Sequence, residues 1–435
     1  MLIDFKLKID NFGPINNADL EISRINIIAG KNNGGKTTIS KLIYCILTAF
    51  SADGKYLVFQ SMKDRLTALL EESIKIPYCE TSCINDLLNI KLDLETKNNP
   101  DIKTIEESYN KLESVIKSSE DFENKRYLLR MIENDKKTLE GISSPEFNHD
   151  LLFNLIRNEF SGDEQLLDNY NDSTVKIYND EEHPFEYIIE INDAINITLN
   201  NGLKSLITNR EAIYIETPYF LEFNYLIAET RSFRQIPYHQ LLLSNKLNDQ
   251  STKNDILDEK HNAPIVDFQN KLNSLVKGSL KKNANGLFVF KQNGKTFDLQ
   301  NTSTGLKSIG MLQLLLENRK LKENSYLIMD EPEVHLHPEW QMKLAEILVL
   351  LVKDLNVNLF INSHSPQFIE AIEVYSGRHG LAGESKFYLS EETESGKFNF
   401  REIKRKNLNV LYDNLGNPYD EIDEIRIENA FNGIE

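Results

Sequence analysis

The stretch "IIAGKNNGGKTTIS", running from Ile27 to Ser40, constrains this chain more than any other. Gly30, Gly35, Lys36 and Thr37 satisfy the spacing G-x-x-x-x-G-K-[ST]. Glycines at those positions let backbone N–H groups converge on phosphate oxygens, and the helix that follows adds its positive end. Such a loop needs a strand before it and a helix after it. Both are legible: "RINIIAG" reads as a short buried strand and "TTISKLIYCILTAF" as a buried helix. Lys36 is therefore expected to meet the β/γ-phosphates of a nucleotide, and Thr37 to place its hydroxyl on Mg²⁺. Gly30, Asn32, Asn33, Gly34, Gly35 and Thr38 make up the rest of the expected nucleotide contact. The fold class that follows is α/β.

Three further elements lie far downstream. In "YLIMDEPEVHLHP" an apolar run ends in Asp330-Glu331. An acidic pair at a strand end places Asp330 for Mg²⁺ and Glu331 to polarise an attacking water. "LFINSHSP" puts His364 just past another apolar strand, at the carboxyl edge where ligands of such sheets bind. The strands 326–329 and 358–361, with the amphipathic helix between them, read as a right-handed βαβ unit. In "NTSTGLKSIG", Ser303 and Gly305 precede a helix, which makes either a second anion site or an ordinary capped helix. Most of the chain separates Lys36 from Asp330. A small P-loop kinase or GTPase would not space them so, whereas a head domain split by an insertion would.

Residues 51–175 supply that insertion. They are rich in Lys, Glu, Asp and Asn, and Ile102, Ile105, Tyr109, Leu112 and Ile116 step along one apolar helical seam. The organisation read from the chain is 1–50 for the first half of the head and 51–175 for a short, coiled-coil-like helical insertion. The second half of the head spans 176–385, and 386–435 forms strands with an acidic helical tail. "AIYIETPYFLEF" (212–223) reads as strand, and "NGLFVFKQNGKTFDL" as a hairpin turning at Asn293-Gly294.

Composition bears on partners. The 435-residue chain has 67 acidic and 49 basic residues, a net charge of −18, which disfavours generic nucleic-acid binding. "KGSLKK" (277–282) and "REIKRK" (401–406) are local basic runs, read as solvated faces. Cys45, Cys79 and Cys83 are too few for a disulfide framework. Apolar runs fall short of the ~20 residues a membrane span needs, and the start of the chain lacks a signal-peptide layout. The expectation is a cytoplasmic protein without membrane contact. His335 and His337 form H-x-H but have no local carboxylate or cysteine set to complete a metal site.

Together the four elements, in this order, resemble an ABC-type ATPase head. "NFGPI" with "GKNNGGKTT", then "STGLKSIG", "LIMDEPEVHLHPEWQ" and "NSHSP", resemble the RecF-like and OLD-like ATPases of the AAA family in prokaryotes. "AIYIETPYFLEF", "HLHPEWQ" and "VLYDNLGNPYDEIDEI" are similar to the ATPase subunit of Septu-type anti-phage systems, including those carried with retrons. The PARIS ATPase is a near alternative.

The resemblance implies a mixed, largely parallel sheet and ATP with Mg²⁺ as cofactors. Lys36 and Thr37 would be the Walker A residues, Asp330 the Walker B aspartate, Glu331 the catalytic base and His364 the switch histidine. Ser303 and Gly305 would match the signature loop, which reaches the ATP of a second protomer. It therefore also implies a homodimer or larger homo-oligomer, and a partner nuclease or effector of HNH or Toprim type. "STGLK" departs from the two-glycine signature, and Gln60 is only a candidate for the Q-loop glutamine. The residues after 380 carry no D-x-D of a Toprim domain, so nuclease activity is not expected of this chain. A nucleotide-occupied scaffold with little turnover and a RecF-type DNA-repair ATPase remain the alternatives.

Overall fold

The computed structural model describes residues 5–74, 81–96, 102–120, 124–141, 145–160, 172–178, 186–191, 195–200, 210–229, 236–249, 259–276, 278–416 and 425–427. The chain divides into two compact units. One, the head, comprises Met1–Leu47, Ile156–Thr230 and Ile236–Glu435; the other comprises Thr48–Leu155 and Arg231–Gln235.

The head opens with β1 (Phe5–Asp10), β2 (Ile15–Ile22) and β3 (Ile25–Ala29). β1 alternates buried and half-buried residues and pairs on both sides, whereas β3 is buried throughout. Helix α1 (Lys36–Ala49) starts at the lysine of the glycine-rich loop. The helical unit then supplies α2 (Ala52–Ser73), α3 (Thr81–Thr96), α4 (Ile102–Ser118), α5 (Lys125–Gly141) and most of α6 (Pro145–Glu159).

Its core joins Met62 and Leu66 to the seam of α4, where Ile105, Tyr109, Leu112 and Ile116 are buried. Ile102, expected on that seam, is 37% exposed, because it is the first residue of its helix. Inside the core the Tyr109 hydroxyl donates to Asp135 at 2.7 Å, and Arg65 pairs with the same carboxylate at 3.0 Å. Gln60 lies in α2 of this unit and not on the sheet that carries the glycine-rich loop.

The chain re-enters the head before the expected residue 175. Phe160 already packs edge-on against Phe12, and β4 (Ser173–Tyr178) pairs with β1. β5 (Glu186–Ile191) and β6 (Ile195–Asn200) extend that antiparallel side. β7 (Ala212–Ile215) is shorter than the strand expected over 212–223. Pro218 cannot donate to a ladder, and Phe220–Glu229 forms α7 instead.

Helices α8 (Tyr238–Asn248) and α9 (Glu259–Val276) lead to a three-stranded sheet of β8 (Gly278–Lys282), β9 (Phe288–Gln292) and β10 (Lys295–Asp298). Asn293 and Gly294, both at positive φ, make the tight turn expected there. Next come α10 (Thr304–Glu317), β11 (Tyr326–Asp330), α11 (Pro338–Leu355), β12 (Asn358–Ser363) and α12 (Pro366–Arg378). β13 (Ser385–Glu392) and β14 (Phe398–Glu402) follow.

The main sheet is eleven-stranded, in the order β6-β5-β4-β1-β2-β14-β13-β3-β12-β11-β7. The five strands β13, β3, β12, β11 and β7 are mutually parallel. So β13 and β14, expected in a separate C-terminal segment from 386, are interior strands of the head. Register aligns the strand ends: Ala29 pairs with Ser363 and with Leu389, Asn362 with Asp330, and Met329 with Ile215. The residues that follow these positions therefore share one edge, the carboxyl edge of the parallel strands, where such sheets bind ligands. Among the described residues no single helix is long and apolar enough to cross a membrane.

Candidate nucleotide site

The glycine-rich loop leaves β3 at Gly30 and enters α1 at Lys36. Asn33 and Gly35 take positive φ, of 64° and 76°, which turns the chain tightly enough to aim successive amides inward. The Lys36 side chain folds under the loop. Its Nζ donates to Gly30 O at 2.9 Å and to Lys31 O at 2.8 Å, and lies 3.8 Å from Glu331 Oε1. Burial holds its pKa below the usual lysine value. A cavity of about 270 Å³ opens over the loop, lined by Pro14, the run Asn32–Thr38 and Glu331.

Asp330 ends β11 and is 7% exposed. Tyr214 donates its hydroxyl to Asp330 Oδ2 at 2.7 Å, the Asn362 amide donates to Oδ1, and the Thr37 side chain is near enough to favour the ionised form. Burial raises the Asp330 pKa while these three groups oppose the rise. The backbone turns at Glu331, whose φ is +45°, a conformation uncommon for residues other than glycine. The turn delivers its carboxylate over the loop, 3.2 Å from His364 Nδ1. Contact with His364 is the main reason the Glu331 pKa is lowered, and the same contact raises that of His364. His364 is fixed from both sides, since Ser363 ends β12 and Ser365 caps α12 by accepting from Phe368 N.

The structure thus brings together Lys36, Thr37, Asp330, Glu331 and His364. Ser303 and Gly305 are not part of that cavity's lining. Ser303 stands at the N-cap of α10, exposed, with no side-chain capping bond. A Cβ at Gly305 would come within 2.8 Å of Leu336 Cδ2, so close packing explains that glycine. Lys307 is buried, donating to Glu222 at 2.6 Å and lying over the Tyr219 ring. His337 caps α11 by accepting from Glu339 N, while the ring of His335 meets Tyr219 edge-on.

Several participants carry no sequence signal. Tyr214 reads as one more apolar position of β7. Glu333 is buried and accepts from the Ser363 hydroxyl, and burial raises its pKa. The D-E-P-E spacing was the only hint of it. His239 is buried between Glu159, whose Oε2 is 2.6 Å from Nδ1, and Glu216, whose Oε2 is 3.3 Å from Nε2. Its ring packs 4.7 Å from that of Tyr214. Glu216 follows β7 and also faces Lys41 of α1, at 3.8 Å.

A family profile, the AAA ATPase domain, matches residues 1–369. The chain belongs to the AAA ATPase domain family. It is 25% identical over 393 residues to the endonuclease GajA of Bacillus cereus (strain HuB5-5), covering 81% of this chain and 53% of that protein. It therefore spans about half the length of this relative. It is also 29% identical over 79 residues to the uncharacterized protein MJECL11 of Methanocaldococcus jannaschii, covering 18% of this chain and 67% of that one.

Among solved structures it is similar to the SMC head domain from Thermotoga maritima, at a TM-score of 0.40 and 11% identity over 92% of this chain and 99% of that one. An SMC head bound to the C-terminal winged-helix domain of ScpA gives 0.43 and 12%, over 93% and 98%. The profile match of the AAA ATPase domain ends before β13 and β14. Those two strands nevertheless complete the sheet beside β3 and lie under the loop: Ser390 abuts Gly30 and Gly34, and Phe400 abuts Gly35.

Proposed function

We propose that the protein binds ATP with Mg²⁺ and hydrolyses it, and that two heads close over the nucleotide to gate a separate effector in anti-phage defence. The observation that carries the ATPase reading is the meeting of Lys36, Thr37, Asp330, Glu331 and His364 at one strand edge. Lys36 would exchange the carbonyls of Gly30 and Lys31 for phosphate oxygens. Thr37 and Asp330, neighbours at the strand edge, would form the hard oxygen set a magnesium ion prefers. A bound Mg²⁺ would neutralise charge on the phosphates.

Glu331, an ionised carboxylate at neutral pH whose pKa His364 and Lys36 lower further, orients the attacking water and takes its proton. His364 stands beside it to contact the γ-phosphate. Ser303, exposed and free of its own capping duty, supports a contact to the nucleotide of a second copy. The motif resemblance to Septu-type ATPases and the likeness to an endonuclease support the defence setting and a nuclease as partner.

The DNA-repair alternative receives little support from the two basic runs, several of whose cations face acids. Arg401 pairs with Glu391, Lys404 with Glu402, Arg405 with Glu373 and Lys281 with Glu317. Sustained, Mg²⁺-dependent phosphate release that disappears in Lys36→Ala is the expected result. Stoichiometric binding with no release, with or without the partner or DNA, would favour the scaffold reading instead.

A further inference from the structure

Strand β12, between β3 and β11, is apolar from Leu359 to Ile361 and turns polar while still inside the strand. Asn362 there is fully buried, although asparagine is a residue that strands avoid. Its amide nitrogen donates two hydrogen bonds, one to Asp330 Oδ1 on β11 and one, at 2.7 Å, to Ser40 Oγ on α1. Its backbone carbonyl accepts from Glu331 N at 2.9 Å. Among the described residues its side-chain oxygen has no partner. An unpaired buried acceptor is costly, and an apolar residue of similar size would remove that cost. Reversing the amide would set this oxygen against the Asp330 carboxylate, so the charge of Asp330 fixes which end faces it.

The two acceptors belong to the two elements that carry the metal donors of the nucleotide reading. Asp330 ends β11, and Ser40 follows Thr37 by one turn of α1. A carboxylate held at one oxygen can still swing about its Cβ–Cγ bond. Asp330 is held at both, Oδ2 by Tyr214 from β7 and Oδ1 by Asn362 from β12. The Asn362 bond also ties this carboxylate to the helix of Thr37. Magnesium tolerates little departure from octahedral geometry, so the spacing of two oxygens offered to it matters.

We infer that Asn362 is a positioning residue of the metal site: its amide fixes the Asp330 carboxylate against α1, and so sets the spacing of the Asp330 and Thr37 oxygens. Through its carbonyl the same residue holds the backbone of Glu331, so the metal carboxylate and the base share one support. This rests on the nucleotide reading.

The test uses the full chain and reads binding rather than turnover, by ATP titrations in a metal chelator and across a Mg²⁺ series. In the wild type Mg²⁺ should tighten ATP binding. Asn362→Leu keeps the volume and loses both side-chain donors. It should bind ATP as the wild type does in the chelator, while the Mg²⁺ concentration that gives half of the tightening rises about ten-fold. Ser40→Ala cuts the tie to α1 alone and should shift that concentration the same way by less. An unshifted Mg²⁺ concentration in Asn362→Leu would overturn the inference. So would an ATP affinity that falls equally with and without Mg²⁺, which marks a structural role. Should Asn362→Leu fail to fold, Ser40→Ala decides by the same reading: a raised Mg²⁺ concentration supports the inference and an unchanged one overturns it. A wild type whose ATP binding ignores Mg²⁺ would instead sink the nucleotide reading, and the inference with it.

Discussion

His364 and His239 both lie against acids, and both have pKa values raised above the ordinary histidine range, yet the side chain of one is 40% exposed and that of the other 1%. His364 is part-exposed beside Glu331, which lines the cavity over the loop and has the ammonium of Lys36 near its carboxylate. His239 faces two carboxylates on elements distant in sequence, Glu159 at the end of α6 and Glu216 after β7, and packs on the tyrosine that holds Asp330. The same pair of groups serves two ends according to burial. Open to a cavity, the pair can exchange partners as a reaction proceeds. Closed in, it fixes strand β7 and through Tyr214 the carboxylate of Asp330.

The largest effect that would sharpen this contrast is on stability. Removing His239 leaves the fully buried Glu159 side chain without its hydrogen-bond partner, which costs about 3–5 kcal/mol. His239→Ala should therefore show a large loss in chemical denaturation, whereas His364→Asn should stay within about 0.5 kcal/mol of wild type. Equal losses at the two positions would erase the distinction. Tyr214→Phe comes next. It removes a donor from Asp330 while keeping the ring against His239, and losses of this kind weaken metal binding by about ten-fold or more. The Mg²⁺ concentration for half-maximal turnover should rise accordingly, with a smaller loss of folding stability than in His239→Ala; an unshifted Mg²⁺ dependence would remove Tyr214 from the site.

The smallest effect is in acid. His239 holds the Glu216 pKa down from the usual 4.5 to about 2. A depressed carboxylate pKa contributes stability that is present above the unfolded value and lost as pH falls through the folded one. The stability of the wild type should thus fall between pH 4.5 and 2 more steeply than that of Glu216→Gln. The raised pKa of His239 acts in the opposite sense, its contribution being complete below the ordinary 6.5 and lost as pH rises through its folded value. Identical acid slopes for the two proteins would show that Glu216 is not held by His239 in solution.

The same two histidines show how much of the site was legible in the sequence. His364, Lys36, Thr37, Asp330 and Glu331 each sit where a buried strand ends, and the strand's apolar run followed by a polar string announces the position. His239, Glu159, Glu216 and Tyr214 meet only because β7 lies at the end of the sheet beside β11, a fact of strand order that no local pattern encodes. Ser390 was hidden for the same reason: β13 read as a tail strand, and nothing in "KFYLS" states that it pairs with β3. The α/β class followed from the phosphate-loop motif in its strand–helix setting, and the division by a helical unit from the distance between Lys36 and Asp330 together with the apolar seam of α4. The end of β7 at Ile215 was misjudged because aromatic residues continue the apolar pattern past Pro218 into a helix.

The central claim is that Glu331 acts on the reacting water and is not needed to retain the nucleotide. Its most direct test is ATP binding and phosphate release measured on the same preparations of wild type and Glu331→Gln. Binding should be kept, and release should fall by about 10²–10⁴-fold, the usual contribution of a general base. Release at the wild-type rate in Glu331→Gln would contradict it.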